Sequence, residues 1–211
     1  SHEQTPYTKR ILFLDKFDDA PAMGPYGFVN DPSRLLVSAD NAKIRCAWPG
    51  TYDLFPPKGT ELFATGRQVR ERTMWKVPLG TGQIGWIEDV HVEKTSGSSP
   101  YPLDVIHSVV AAVGETKWGR PLSTVTVPLK HKKPFRVEQV ADDRLELTIY
   151  GAVSWTDLII QPHGSRAVDE LRWSQTDSTS WTLTAFLDPA CFLGWEIAFD
   201  NDADLIWTIH E

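Results

Sequence analysis

Residues 144–150 read RLELTIY, and this stretch decides the fold class of the chain. Its apolar residues, Leu145, Leu147 and Ile149, alternate with polar residues. Successive side chains of a β-strand point to opposite faces, so this alternation gives the strand one buried face and one face toward water. The stretch therefore predicts a half-buried β-strand.

The same alternation recurs in the C-terminal half, at residues 124–129, 182–187, 195–199 and 205–209, although Phe186 breaks the polar face of the second stretch. The polar turn between the last two predicts a closing hairpin with Trp195 and Trp207 on the same inward face. No window keeps apolar residues at helical spacing for three turns, and the β-branched run within residues 103–113 favours a strand. We therefore expect an all-β fold, because short strands separated by turns are typical of sandwiches and barrels.

The charge and hydropathy of the chain argue against two kinds of binding partner, nucleic acid and the membrane interior. With a formal net charge of −7, it lacks the basic balance that binding to nucleic-acid phosphates needs, so we expect no nucleic acid. The run KHKK at residues 130–133 is interpreted as a solvated turn, with a site for an anionic wall polymer as the alternative. We also expect no membrane span, since no run approaches the ~20 apolar residues of a spanning helix.

Composition divides the chain into three parts. The run TSGSSP at residues 95–100 is typical of a linker, and we place a domain boundary there. Residues 1–34 are expected to form a leading strand, at residues 11–14, and a wrapping segment. Residues 35–94 and 101–211 are expected to form two β domains. Cys46 and Cys191 fall in different domains and are predicted to be separate thiols, with an interdomain bridge left open.

The first β domain carries an ordered set of turn and strand motifs. These are AKIR at residues 42–45, CAWPGTY at 46–52, GTELFATG at 59–66, MWKVPL at 74–79 and GQIGWI at 82–87. In this order they resemble bacterial SH3-like domains, although CAW stands where a small residue and Gly are usual and residues 67–72 form a longer insertion. The resemblance covers residues 35–92. It implies a small SH3-like barrel over residues 35–94 that binds a ligand and does not catalyse.

The second β domain carries another set of motifs. These are VPL at residues 127–129, PFRV at 134–137, LELTIYGA at 145–152, VDELRWSQ at 168–175 and GWE at 194–196. They resemble the AMIN region of bacterial N-acetylmuramoyl-L-alanine amidases. The resemblance implies an antiparallel β-sandwich over residues 101–211 that holds the enzyme at the cell wall. It also implies a zinc catalytic domain beyond Glu211 and a location in the cell envelope or outside the cell.

The chain shows no sign of catalytic chemistry of its own. None of the six histidines stands at metal-ligand spacing, so no metal or other cofactor is predicted, and His107 is expected to be buried in an apolar run. Neither cysteine has the setting of a nucleophile, and no Gly-x-Ser-x-Gly elbow is present. We therefore predict a region that is not an enzyme. The alternative is a glycan hydrolase whose paired carboxylates the sequence does not reveal.

Aromatic residues are the predicted ligand-binding residues. Trp is a flat stacking surface, and the chain has nine, although each single Trp is more often a core residue. The candidates in the SH3-like part are Trp48, Tyr52, Trp75 and Trp86, with Asp89 (or Asp53 or Glu88) to bind an amine or amide. Trp75 and Trp86 open strands, a position more typical of the core, so Trp48 and Tyr52 in the Pro-Gly loop are the better surface candidates. The candidates in the sandwich are Trp155 and Trp181. The predicted partner is peptidoglycan or another envelope polymer. An envelope protein is the alternative.

Overall fold

The structure is a computed structural model that describes residues 27–46, 52–69, 71–200 and 203–211. The side chains of Tyr52, Asp53 and Asp157 lie outside this description. The predicted strand at residues 11–14 and the candidate Trp48 also lie outside the described residues.

The N-terminal half of the described chain contains nine strands and a short 3-10 helix at Asp89–His91. The strands are β1 (Phe28–Val29), β2 (Ser33–Val37), β3 (Ile44–Arg45), β4 (Tyr52–Leu54), β5 (Glu61–Ala64), β6 (Gly66–Val69), β7 (Thr73–Gly80), β8 (Gln83–Glu88) and β9 (Val92–Lys94).

The C-terminal half contains nine further strands. These are β10 (Asp104–Glu115), β11 (Pro121–Val127), β12 (Phe135–Ala141), β13 (Arg144–Tyr150), β14 (Ala152–Ile160), β15 (Val168–Asp177), β16 (Ser180–Leu187), β17 (Gly194–Phe199) and β18 (Leu205–His210). The prediction of an all-β fold is confirmed. Within the described ranges, no helix is both long and apolar enough to cross a membrane.

The C-terminal half forms a sandwich of two sheets. The five-stranded sheet has the order β14-β10-β11-β18-β17, and the four-stranded sheet has the order β12-β13-β16-β15. Alternate residues of both sheets point inward, as the sequence predicts: Leu145, Leu147 and Ile149 of β13 are all fully buried. They share one core with Trp181 and Trp207, which come from opposite sheets and are both 0% exposed. The sandwich prediction is thereby confirmed.

One pair of strands departs from the antiparallel arrangement. β14 pairs with β10 in the parallel direction, from Asp104 opposite Ala152 to Val110 opposite Ile160. Gly151 lies between β13 and β14 with a φ of 78°, a conformation that glycine adopts without steric cost. This corner carries the chain from one sheet to the other, and β14 therefore lies beside β10 and not beside β13.

The closing hairpin is present, with Ile197 opposite Trp207 and Phe199 opposite Leu205. Trp207 lies in the core, whereas Trp195, on the edge strand β17, is 38% exposed. Cys46 and Cys191 are not joined by a disulfide bond, so the prediction of separate thiols is confirmed.

The N-terminal half does not show the predicted closed barrel in the part of the chain that the structure describes. Its strands form a six-stranded sheet, β1-β6-β7-β8-β3-β4, and a three-stranded sheet, β5-β2-β9. The segment read as an insertion supplies most of β6, which pairs with β7 and with β1 and so extends the sheet at its edge. The chain changes sheet at Thr65, whose N–H donates to the Lys76 carbonyl at 2.9 Å. The two sheets enclose a separate core that includes Leu35, Ile44 and Trp75.

Buried polar contacts connect the two halves, and they correct the interpretation of residues 130–133 as a solvated turn. Lys133 is only 2% exposed, and its Nζ donates to Glu61 Oε2 at 2.8 Å and to the Pro102 carbonyl at 3.1 Å. His131 Nδ1 lies 2.9 Å from Asp104 Oδ1. The sequence shows a run of basic residues here. It does not show that one carboxylate from each half, Glu61 and Asp104, contacts this run.

The segment predicted to be a linker is attached to β2 by Arg34. The Arg34 side chain donates from Nε to the Ser99 carbonyl at 2.9 Å and from Nη2 to the Pro100 carbonyl at 3.2 Å. The Thr95 N–H donates to the Arg34 carbonyl at 2.9 Å. The domain boundary at residues 95–100 stays a prediction, but this stretch is hydrogen-bonded to β2 and is not an extended linker without contacts.

Candidate functional site

The residues predicted to bind a ligand in the N-terminal half do not form one open groove in the part described. Trp75 is 4% exposed, and its Nε1–H donates to Asp89 Oδ1 at 2.7 Å. Trp86 pairs in register with Lys76, and its ring meets Phe28 edge-on at 6.5 Å. Tyr52 is placed only by its backbone, in β4.

Cationic side chains cover what is left of the Trp75 ring. Arg67 and Lys94 lie 5.6 Å and 5.7 Å from its centroid, and both form ion pairs with Asp31. The Lys94 hydrogen bond holds the pKa of Asp31 below its usual range. Trp75 and Asp89 thus have partners within the protein, and their role in binding stays a prediction.

The tryptophans predicted for the sandwich have opposite environments. Trp181 is completely buried, so the prediction that it is an exposed platform is wrong, because β16 is a central strand and turns Trp181 inward. Trp155 is 74% exposed on the edge strand β14, as predicted. Its ring lies 6.0 Å from the His107 ring.

His107 itself is exposed, and the prediction that it is buried is wrong. The register between β10 and β14 shifts from Ile106 to Ser108, and this irregularity leaves His107 outside while Ile106 and Val109 stay in the core.

The outer face of the four-stranded sheet carries a dense set of polar side chains that we call the polar groove. Strand register arranges them in two rows across the sheet, in the order β12, β13, β16, β15. One row is Arg136, Thr148, Thr182 and Ser174, and the next is Glu138, Glu146, Thr184 and Arg172.

The polar groove encloses a cavity of about 360 Å³. That volume lies in the range of pockets for small ligands. Threonine hydroxyls that line the cavity are hydrogen-bonded to one another: Thr182 Oγ1 lies 3.1 Å from Thr148 Oγ1 and 2.6 Å from Thr176 Oγ1. Gln83, from the N-terminal half, lines one end. The site is therefore polar, concave and completed by both halves of the protein.

Two glutamates face each other in the polar groove. Glu138 and Glu146 are directly opposite in register, and Arg136 Nη2 donates to Glu138 Oε1 at 2.6 Å. Within the described ranges, Glu146 and Thr184 have no side-chain hydrogen bond or ion pair to the protein. Their polar atoms are therefore available to a ligand that carries hydroxyl or amide groups.

The N-terminal half is joined to the polar groove by Asp177. The Thr81 N–H donates to Asp177 Oδ2 at 3.0 Å, and the Thr179 N–H donates to Oδ1 at 2.7 Å. Burial raises the pKa of Asp177, but these hydrogen bonds outweigh it and the pKa lies below its usual range. Gly80 allows the close approach, since a Cβ there would lie 2.6 Å from Ser180 Oγ.

A second cavity, of about 210 Å³, lies between the halves, against Phe63, Leu79, Tyr101 and Tyr150. It is mainly apolar, and the charged groups beside it, Lys133 and Glu61, already pair with each other. Among the residues with a described position, no three His, Cys, Asp or Glu side chains lie close enough together to hold a metal ion. The polar groove is thus the better candidate.

The residues of the polar groove were missed in the sequence because they occupy the polar positions of alternating strands, which are read as facing water. The available signal is the repetition of hydroxyls at these positions, at Thr148, Thr182 and Thr184. Only the pairing of β13 with β16 brings them together.

Comparison of the chain with protein-family models, with curated proteins and with solved structures found no match. The resemblances to SH3-like domains and to AMIN regions therefore stay predictions.

Proposed function

We propose that this chain is a non-catalytic region that binds a glycan of the bacterial cell envelope, with peptidoglycan as the first ligand to test. The polar groove is the binding site. The proposal includes the expectation from the resemblances, that the region positions a zinc amidase domain at the wall and acts in the envelope or outside the cell.

The observation that supports it is the polar pair Glu146 and Thr184, which lie directly opposite each other beside a cluster of hydroxyls and have no partner among the described residues. Saccharides present many hydroxyls, which donate to carboxylates and exchange hydrogen bonds with threonine. Such a ligand replaces the water of a polar cavity without leaving buried groups unpaired.

The test is sedimentation with purified sacculi, scored together with the release of soluble fragments. The Glu146→Gln/Thr184→Val variant removes the unpaired carboxylate and hydroxyl, and we expect it to bind about tenfold more weakly. The control is Glu196→Gln/Thr208→Val, which makes the same changes in a directly opposed pair on the outer face of the five-stranded sheet. It should bind like the unchanged protein. The proposal is wrong if the unchanged protein does not sediment, or if both variants bind equally.

Glycoside hydrolysis is a second candidate, favoured by one observation. Glu138 and Glu146 are opposed across neighbouring strands, where Cβ atoms lie about 5 Å apart. Retaining glycosidases hold their two carboxyl groups about 5 Å apart, a separation that two glutamate side chains extending from such Cβ positions can reach. Release of fragments that stops in Glu138→Gln and in Glu146→Gln would favour hydrolysis over binding alone.

A further inference from the structure

Among the described residues, the outer face of the four-stranded sheet carries three arginines, and two of them have a carboxylate partner there. Arg136 binds Glu138, and Arg172 donates two hydrogen bonds to Glu170, at 2.8 Å and 2.7 Å. In the described part of the chain, the Arg144 guanidinium has neither an ion pair nor a hydrogen bond, although its Nε is buried. Arg144 is therefore the guanidinium on this face that is left for a ligand.

Phe186 holds Arg144 in place. It is directly opposite Arg144 in register, and the guanidinium carbon of Arg144 lies 5.1 Å from the centre of its ring. Arg172 lies 4.9 Å from the same ring centre. A guanidinium stacked on an aromatic ring has less freedom to lose when it binds an anion, and its planar donors match a carboxylate.

Arg144 also lies at the edge of the polar groove. It precedes Glu146 by two residues on the same face of β13, which corresponds to about 7 Å along a strand. The two glutamates of the neighbouring row would repel an anion placed over them, whereas Arg144 attracts one. A ligand with both hydroxyls and a carboxylate is thus held in one orientation, with its carboxylate at the Arg144 end.

We propose that the glycan bound in the polar groove carries a carboxylate, and that Arg144 is the residue that binds this carboxylate. The inference rests on the proposed function, because it names the class of glycan that the same site takes.

The test compares two forms of one ligand by titration calorimetry. The first is glycan strands stripped of their peptides, whose muramic acid residues carry free carboxylates. The second is the same strands with those carboxylates converted to methylamides. We expect the unchanged protein to bind the free-carboxylate strands about 10- to 100-fold more tightly, and added salt to reduce that preference.

Arg144→Gln should bind both forms alike, at the affinity of the unchanged protein for the amidated strands. Arg120→Gln, which removes a positive charge in the turn between β10 and β11, should keep the preference. Equal binding of both forms by the unchanged protein, or a preference that survives in Arg144→Gln, overturns the inference and leaves the proposed function intact. If the unchanged protein binds neither form, the proposed function fails and the inference fails with it.

Discussion

The two sheets of the sandwich share one core but have different outer faces. The four-stranded sheet presents rows of hydroxyl, carboxylate and guanidinium groups, and the N-terminal half closes one end of them. The five-stranded sheet presents a row across all its strands that is apolar except for one threonine: Ile160, Val110, Thr126, Ile206 and Ala198. The inner faces of both sheets are apolar because both are buried in the core. The outer faces are not bound by that requirement, and the one with the polar and charged rows is the candidate binding site.

The largest expected effect tests the hydrophobic core that the two sheets share. Trp181→Ala and Trp207→Ala each remove a fully buried side chain, one from each sheet, and each should lower the free energy of unfolding by about 3–5 kcal/mol. Urea unfolding measures both. A loss below about 1 kcal/mol in only one variant would show that the sheets do not contribute equally to one core.

The next effect concerns the contact between the N-terminal half and the four-stranded sheet. Asp177→Asn weakens the hydrogen bonds to the Thr81 and Thr179 N–H groups and should cost about 1–2 kcal/mol at neutral pH. Since the pKa of Asp177 is lowered in the folded protein, its ionised form stabilises the fold above the ordinary carboxyl pKa. That contribution is lost as the pH falls below about 4.

The measurement is the free energy of unfolding against pH for both proteins. The difference between the unchanged protein and Asp177→Asn should shrink as the pH falls from 6 toward 3, an interval chosen to span the ordinary carboxyl pKa of about 4. A constant difference would contradict the assignment.

A smaller effect compares hydroxyls on the two outer faces. Thr182→Val removes the hydroxyl that contacts both Thr148 and Thr176, and it should cost about 0.5–1.5 kcal/mol. Thr126→Val changes a hydroxyl on the outer face of the five-stranded sheet that has no side-chain hydrogen bond within the described ranges, and its effect should stay within about 0.5 kcal/mol. Equal losses in chemical denaturation would remove the distinction between the faces.

The smallest effect is expected for Trp155→Ala. Trp155 is 74% exposed, so its removal should change the free energy of unfolding by less than about 0.5 kcal/mol. Sedimentation with sacculi should change less than in Glu146→Gln/Thr184→Val. A larger loss of binding in Trp155→Ala would indicate that the binding site lies on the five-stranded sheet and not in the polar groove.

The sequence predicted what depends on local alternation. The inward positions Leu145, Leu147 and Ile149 and the closing hairpin follow from the period of two. The sequence did not predict the features that depend on which strands lie side by side in a sheet. Gly151 turns the chain between sheets, so β13 lies beside β16 and the polar groove forms there. For the same reason the burial of Lys133 was missed, because its partner Glu61 lies in the other half.

The most direct test of the account is amide chemical-shift mapping of the labelled protein with soluble glycan strands. The account predicts that the amide signals of Glu146, Thr148, Thr182 and Thr184 shift together and saturably. Those of Thr124, Ile206 and Thr208, on the outer face of the five-stranded sheet, should stay in place. Shifts that cluster instead around Trp155 and His107, or no shifts at all, would contradict the assignment of the polar groove as the binding site.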